Sequence, residues 1–175
     1  RLKRATGSAL YVTRSRYLAG SSRDQYFALG YRNDDQDISF LSFTEYLASI
    51  RVPKGRAVTF RDFSNWFSGH RQGTGLKDAY QVFEEFAGVI TGNSLDQPYL
   101  SAQEYASLGV RQSIFSESER TAVHALFMKY LEFLERNGFY DPNILSHSYL
   151  DKVEPTFDFI VVDEVQDFTT VQLKL

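Results

Sequence analysis

Asp163, Glu164, Gln166 and Asp167 crowd three carboxylates and an amide into five positions, directly after the apolar run Phe159-Ile160-Val161-Val162. Carboxylates this close can take different tasks. One can hold a hard cation such as Mg²⁺, which keeps several of its waters. The next can orient and polarise a water for attack on a phosphoryl group. The plain alternative is a strand that ends in a charged turn. His70, His124 and His147 lie far apart without metal-ligand spacing, which argues against a structural metal site. The chain has no cysteine, which rules out disulfide and thiol chemistry.

The elements that must position the acidic turn can be read from periodicity. Four successive apolar residues predict a strand buried on both faces, as in a parallel sheet. Its C-terminal end is where open α/β sheets bind ligands. Near the N-terminus, residues 8–13 predict another buried strand. A helical pattern follows over 17–31, with Leu18, Tyr26, Phe27 and Leu29 as its apolar positions, weakened by Gly20 and a Ser pair. Strand then helix is half of a βαβ unit. Residues 32–37 read as a polar loop, 38–42 as a second strand and 43–50 as a short helix.

Pro53 and Gly55 mark a boundary, and the pattern beyond it is helical without a convincing strand. Thr59 is a good N-cap for a helix over 60–67. Residues 76–90 predict one amphipathic helix with Tyr80, Val82, Phe83, Phe86 and Ala87 inward. Ser101 with Glu104, and Ser116 with Glu119, form capping-box patterns. The stripe Val123, Leu126, Phe127, Tyr130, Leu131 and Leu134 predicts a helix over 117–137 closed by Gly138. Asp141-Pro142 starts another helix, as N-cap and first position. The chain therefore reads as α/β: 1–52 and 154–175 belong to one parallel sheet, and 53–153 is an all-helical insertion.

Bulk composition is that of an ordinary globular chain, 43% hydrophobic and 23% charged. No apolar run is long enough to span a bilayer, and no membrane partner is expected. A net charge of −3 argues against a surface coated in basic residues, but leaves room for a local basic groove. Arg51, Lys54, Arg56 and Arg61 are candidate phosphate contacts or ordinary surface charge.

The string Asp163-Glu164-Val165-Gln166-Asp167, with its preceding strand and the following Thr169, Thr170 and Gln172, resembles the Walker B motif (motif II) of UvrD/Rep-type superfamily 1 helicases. Leu10 to Ala19 is similar to motif Ia of that family, with Arg14 where many members carry an aromatic. Ser42-Phe43-Thr44-Glu45 falls where motif Ib should lie, matching in its hydroxyl and Phe. Asn137-Gly138-Phe139-Tyr140-Asp141-Pro142 is similar to the turn that precedes motif II.

The resemblance implies a partial RecA-like sheet of the P-loop NTPase type (domain 1A) interrupted by a helical 1B-like insertion. It implies ATP and Mg²⁺ as nucleotide and cofactor, with Asp163 on the metal and Glu164 on the attacking water. Gln166 and Asp167 would couple nucleotide state to DNA contacts, and Thr13, Ser15, Arg16 and Phe43 would meet single-stranded DNA. A single-strand/duplex junction is the implied substrate, with 3′ to 5′ movement. The implied setting is cytoplasmic: nucleoid-associated in a bacterium, nuclear in a eukaryote. The chain holds no Gly-x-x-x-x-Gly-Lys-Ser/Thr string; in the family that loop lies upstream of motif Ia, and the second RecA-like domain lies downstream of motif II. A fragment of a longer helicase is therefore expected, with little ATPase of its own. Three alternatives stay open: an inactive helicase-like binding module, a DNA-independent ATPase, and a helical interaction domain.

Overall fold

The structure is a computed structural model that describes residues 7–30 and 36–175. In chain order its elements are β1 (Gly7–Thr13), α1 (Arg16–Ala28), β2 (Gln36–Ser42), α2 (Phe43–Ile50), β3 (Arg56–Ala57), α3 (Phe60–His70), α4 (Ala79–Glu85), a π-helical turn (Phe86–Ile90), α5 (Ala102–Ala106), α6 (Glu117–Asn137), β4 (Phe139–Tyr140), α7 (Pro142–Tyr149), β5 (Phe159–Val162), a 3₁₀ turn (Val165–Asp167) and α8 (Thr170–Lys174). They form two compact units. One contains the described residues up to Pro53 with Lys152–Phe168; the other contains Lys54–Asp151 with Thr169–Leu175.

The first unit is built on a three-stranded sheet in the order β2-β1-β5, with both pairings parallel. β1 is central because its side chains can be covered on both faces: Ala9, Leu10, Val12 and Thr13 are all buried. The chain leaves β1 for β2 on one side and returns as β5 on the other. The topological switch point therefore lies between the C-terminal ends of β1 and β5. Ser15 caps α1 by accepting the Leu18 N–H, and Gly20, Ser21 and Ser22 do not interrupt the helix. Ser42 caps α2 in a reciprocal box with Glu45.

Two expectations fail in this unit. β5 is not buried on both faces: Phe159, Ile160 and Val161 are 47%, 55% and 45% exposed. Among the described residues its strand neighbour is β1 alone. An apolar run records what a strand can bury, not what is present to cover it. The apolar positions of α1 are likewise mostly outward; Leu18, Phe27 and Leu29 are exposed and only Ala19 is buried. The polar loop expected at 32–37 lies largely outside the described residues, and Gln36 and Asp37 open β2.

The second unit has an aromatic core. Phe63 of α3, Phe86 of the π turn, and Phe127 and Tyr130 of α6 are each almost fully buried. α6 has the expected bounds and buries Val123, Leu126, Phe127, Tyr130 and Leu134 along one stripe. Gly138 ends it in the left-handed conformation, φ 64°. Thr59, Ser101, Ser116 and Asp141 occupy N-cap positions as expected.

The single helix expected over 76–90 is shorter and changes form. Asp78 caps α4, and the last turn widens into the π segment, where the Thr91 N–H donates to Phe86 O. Tyr80 points outward at 58% exposure. A parallel bridge joins the two-residue strands β3 and β4, although no strand was expected there. Two-residue strands are too short to show a period of two. The C-terminal residues also change sides. Val171 donates its N–H to Gly92 O, and Thr169 and Gln172 both donate to Asn143 Oδ1, so 169–175 belongs with the helices.

Candidate functional site

Asp163 stands one residue beyond β5 and extends its ladder, donating its backbone N–H to Val12 O at 2.9 Å. The half-buried carboxylate is held at both oxygens. Oδ1 accepts the Glu164 N–H at 3.1 Å, and Oδ2 accepts the Tyr11 hydroxyl at 2.5 Å. Each oxygen keeps a second lone pair for another partner. The phenol of Tyr11 is pushed above its ordinary pKa, first by burial and then by its hydrogen bond to Asp163.

Glu164 has φ 52° and ψ 50°, the left-handed region, and among the described residues it is the only non-glycine with positive φ. A side chain there costs of order 1 kcal/mol or more, and such residues cluster at functional sites. The turn sends the chain sharply away from the strand. Asp167 then donates its N–H to Glu164 O at 2.8 Å, and Phe168 donates to Val165 O at 3.1 Å. The exposed carboxylate of Glu164 accepts the Gln166 side-chain amide. Phe168 anchors the far side of the turn, buried edge-on against Phe43 with ring centroids 5.5 Å apart. Asp163, Glu164, Gln166 and Asp167 thus share one turn at the switch point, with Asp163 half-buried and the other three exposed.

The donor set decides which cation would fit. Among the described residues no group of three or more His, Asp or Glu side chains could hold a metal unaided. One supported carboxylate fits Mg²⁺ that arrives with a phosphate ligand and keeps its waters. It does not fit a Ca²⁺ or Zn²⁺ cage.

The nucleic-acid candidates are scattered by burial. Thr13 is fully buried, and its hydroxyl has no hydrogen-bond partner among the described residues. Phe43 is 4% exposed and belongs to the core. As placed, neither side chain presents a surface to a base. Ser15 spends its oxygen on the α1 cap. Arg16 is presented to solvent and pairs with Glu45 at 2.9 Å. Arg14 sets its guanidinium 5.8 Å from the centroid of the Phe168 ring.

Arg56 of the candidate basic cluster is structural. It forks onto Asp62 at 2.7 and 2.8 Å and lies 4.1 Å from the Phe139 ring centroid, clamping β3 to the start of α3. That guanidinium holds the Asp62 carboxyl well below the usual carboxylate range. Lys54 and Arg61 are exposed, and Arg51 belongs to the other unit.

Sequence reasoning missed Tyr11. Its one mark in the sequence is that it is the single aromatic of the strand, which does not reveal its distant partner.

Fold and site together define an α/β chain whose small parallel sheet carries an acidic, strained turn at its topological switch point. No described helix is long and apolar enough to cross a membrane. Compared with known proteins, the chain matches no family model, no curated protein and no solved structure.

Proposed function

We propose that this chain is part of an ATP-dependent DNA helicase or translocase of the UvrD/Rep type, with the sheet unit belonging to its RecA-like domain. The observation that carries the reading is the position and backbone of Asp163-Glu164: a supported carboxylate at the switch point, followed by a carboxylate in a strained left-handed turn. In this reading the turn would hold Mg²⁺ together with ATP, and the cation would supply charge neutralisation at the phosphates. Asp163 would hold the cation. Glu164, one residue on and exposed, would orient the attacking water. Gln166 already contacts Glu164 and would report the state of the nucleotide to the turn. Ser15 and Arg16, at the start of α1, would lie along single-stranded DNA.

A DNA-independent ATPase is the second reading. It is favoured by the burial of Thr13 and Phe43, which removes two of the four expected DNA contacts. ATP hydrolysis by the purified full-length protein, with and without a single-stranded oligonucleotide, separates the two. Strong stimulation supports the translocase; turnover indifferent to DNA supports the other ATPase. Glu164→Gln should lower turnover by at least a hundredfold and leave nucleotide binding intact. Unchanged turnover in that variant would defeat both.

A further inference from the structure

Tyr11 sits in the middle strand, in register with Val161 of β5. Its side chain reaches beyond the end of β5 to Asp163, and the hydroxyl lies 2.5 Å from Oδ2. From behind, Ser22 of α1 donates its own hydroxyl to the phenol oxygen at 3.0 Å. A phenol has one proton to give. With Ser22 donating to the oxygen, that proton is directed at Asp163. The ring is braced by Phe40 of β2, centroids 5.4 Å apart, and Phe40 in turn packs on Tyr26 of α1 at 5.6 Å. Three elements therefore converge to fix one donor on one carboxylate oxygen.

We infer that Tyr11 is a positioning residue for Asp163, and that Ser22 holds Tyr11 in place. The inference rests on the reading of Asp163 as the Mg²⁺–nucleotide ligand. A carboxylate just past a strand end can swing about its side-chain torsions. The Glu164 N–H and the Tyr11 hydroxyl pin one oxygen each and leave a lone pair on each for the cation. Outer partners of metal ligands commonly set affinity by ten- to a hundredfold. Phe in place of Tyr11 would keep the ring packed on Phe40 and delete the hydroxyl, losing both its donation to Asp163 and its acceptance from Ser22.

The test uses the full-length protein, Mn²⁺ in place of Mg²⁺, and ATPγS as the nucleotide. Free Mn²⁺ is read by its electron paramagnetic resonance signal, and thermal melting checks the fold. Asp163→Ala should abolish nucleotide-dependent Mn²⁺ binding. Tyr11→Phe should weaken it by about tenfold while affinity for metal-free nucleotide stays unchanged, a split that a merely structural role would not produce. Ser22→Ala should give a smaller loss in the same direction, and it decides the matter if Tyr11→Phe fails to fold. Mn²⁺ binding at wild-type strength in folded Tyr11→Phe, or in Ser22→Ala when that variant must decide, overturns the inference and leaves the reading of Asp163 standing. No nucleotide-dependent Mn²⁺ in the wild type, or none lost in Asp163→Ala, overturns that reading and the inference with it.

Discussion

Glu164 carries the conflict between stability and chemistry at a single residue. Its left-handed backbone suits glycine, yet the position holds a carboxylate. Glu164→Gly should therefore raise stability by roughly 0.5–1 kcal/mol, read by urea denaturation, while the proposed ATP turnover would disappear. Asp141 poses a different question. It caps α7 through the Asn143 and Ile144 N–H groups, and it accepts the Tyr130 hydroxyl at 3.3 Å. Burial pushes its carboxyl above the ordinary range, against the pull of those hydrogen bonds. A carboxyl whose pKa is raised in the folded state opposes stability as pH rises through that pKa, and the opposition fades in acid. Asp141→Asn keeps an acceptor for the cap and removes the charge. It should change stability by less than about 1 kcal/mol, whereas Asp141→Ala should cost about 2 kcal/mol by losing the cap and orphaning the Tyr130 hydroxyl. Differential scanning calorimetry near neutral pH distinguishes them. The roles of Glu164 as a turn residue and Asp141 as a cap were open to sequence reasoning, since each depends on neighbours along the chain. The Tyr11 contact was not, because its partner is 152 residues away.

At the scale of the element, reciprocal caps recur. Glu45, Glu104 and Glu119 each accept hydrogen bonds from the Ser three positions earlier, and each carboxyl is held below its ordinary range by them. A lowered folded-state pKa adds stability in full above the unfolded value, ~4.3 for glutamate, and that stability is lost as pH falls through the folded value. Thermal stability should therefore drop below about pH 4, and the Glu104→Gln, Glu119→Gln double variant should show a shallower drop. A drop of wild-type steepness in the double variant would assign the acid sensitivity to other groups. Two glycines behave differently for a geometric reason. Gly138 has φ 64° with nothing near its absent Cβ, so Gly138→Ala should cost only about 1 kcal/mol. A Cβ at Gly55 would meet Gly138 O at 2.0 Å, so Gly55→Ala must break the β3–β4 bridge region and should cost several times more. The cap motifs were legible because they fit within four residues. The β3–β4 bridge was not, because it joins residues 83 positions apart.

At the scale of the whole molecule, each unit has its own interior. Phe63 is fully buried in the helical unit, with the rings of Trp66, Phe67, Phe83, Phe86 and Tyr130 all between 5.1 and 5.7 Å from its own. Phe63→Ala should cost about 3–5 kcal/mol through lost transfer energy and the cavity left behind. Trp66 is the one tryptophan of the chain and touches Phe63, so its fluorescence follows the unfolding of this unit directly. In the sheet unit, Phe159, Ile160 and Val161 of β5 are half-exposed.

Local order, then, was written in the chain. Periodicity set the bounds of α6, cap residues set helix starts, and the apolar run with its acidic end marked β5 and its turn. These features depend on side-chain entropy, backbone hydrogen bonding and residue spacing within a few turns. The tertiary structure decided what the local pattern could not: that β5 lies beside β1, that Phe43 and Thr13 are covered, that Arg56 is spent on Asp62 and Phe139, and that Tyr11 grips Asp163. Burial and pairing between distant residues arise only when strands and helices meet, and no spacing along the chain encodes which faces remain uncovered.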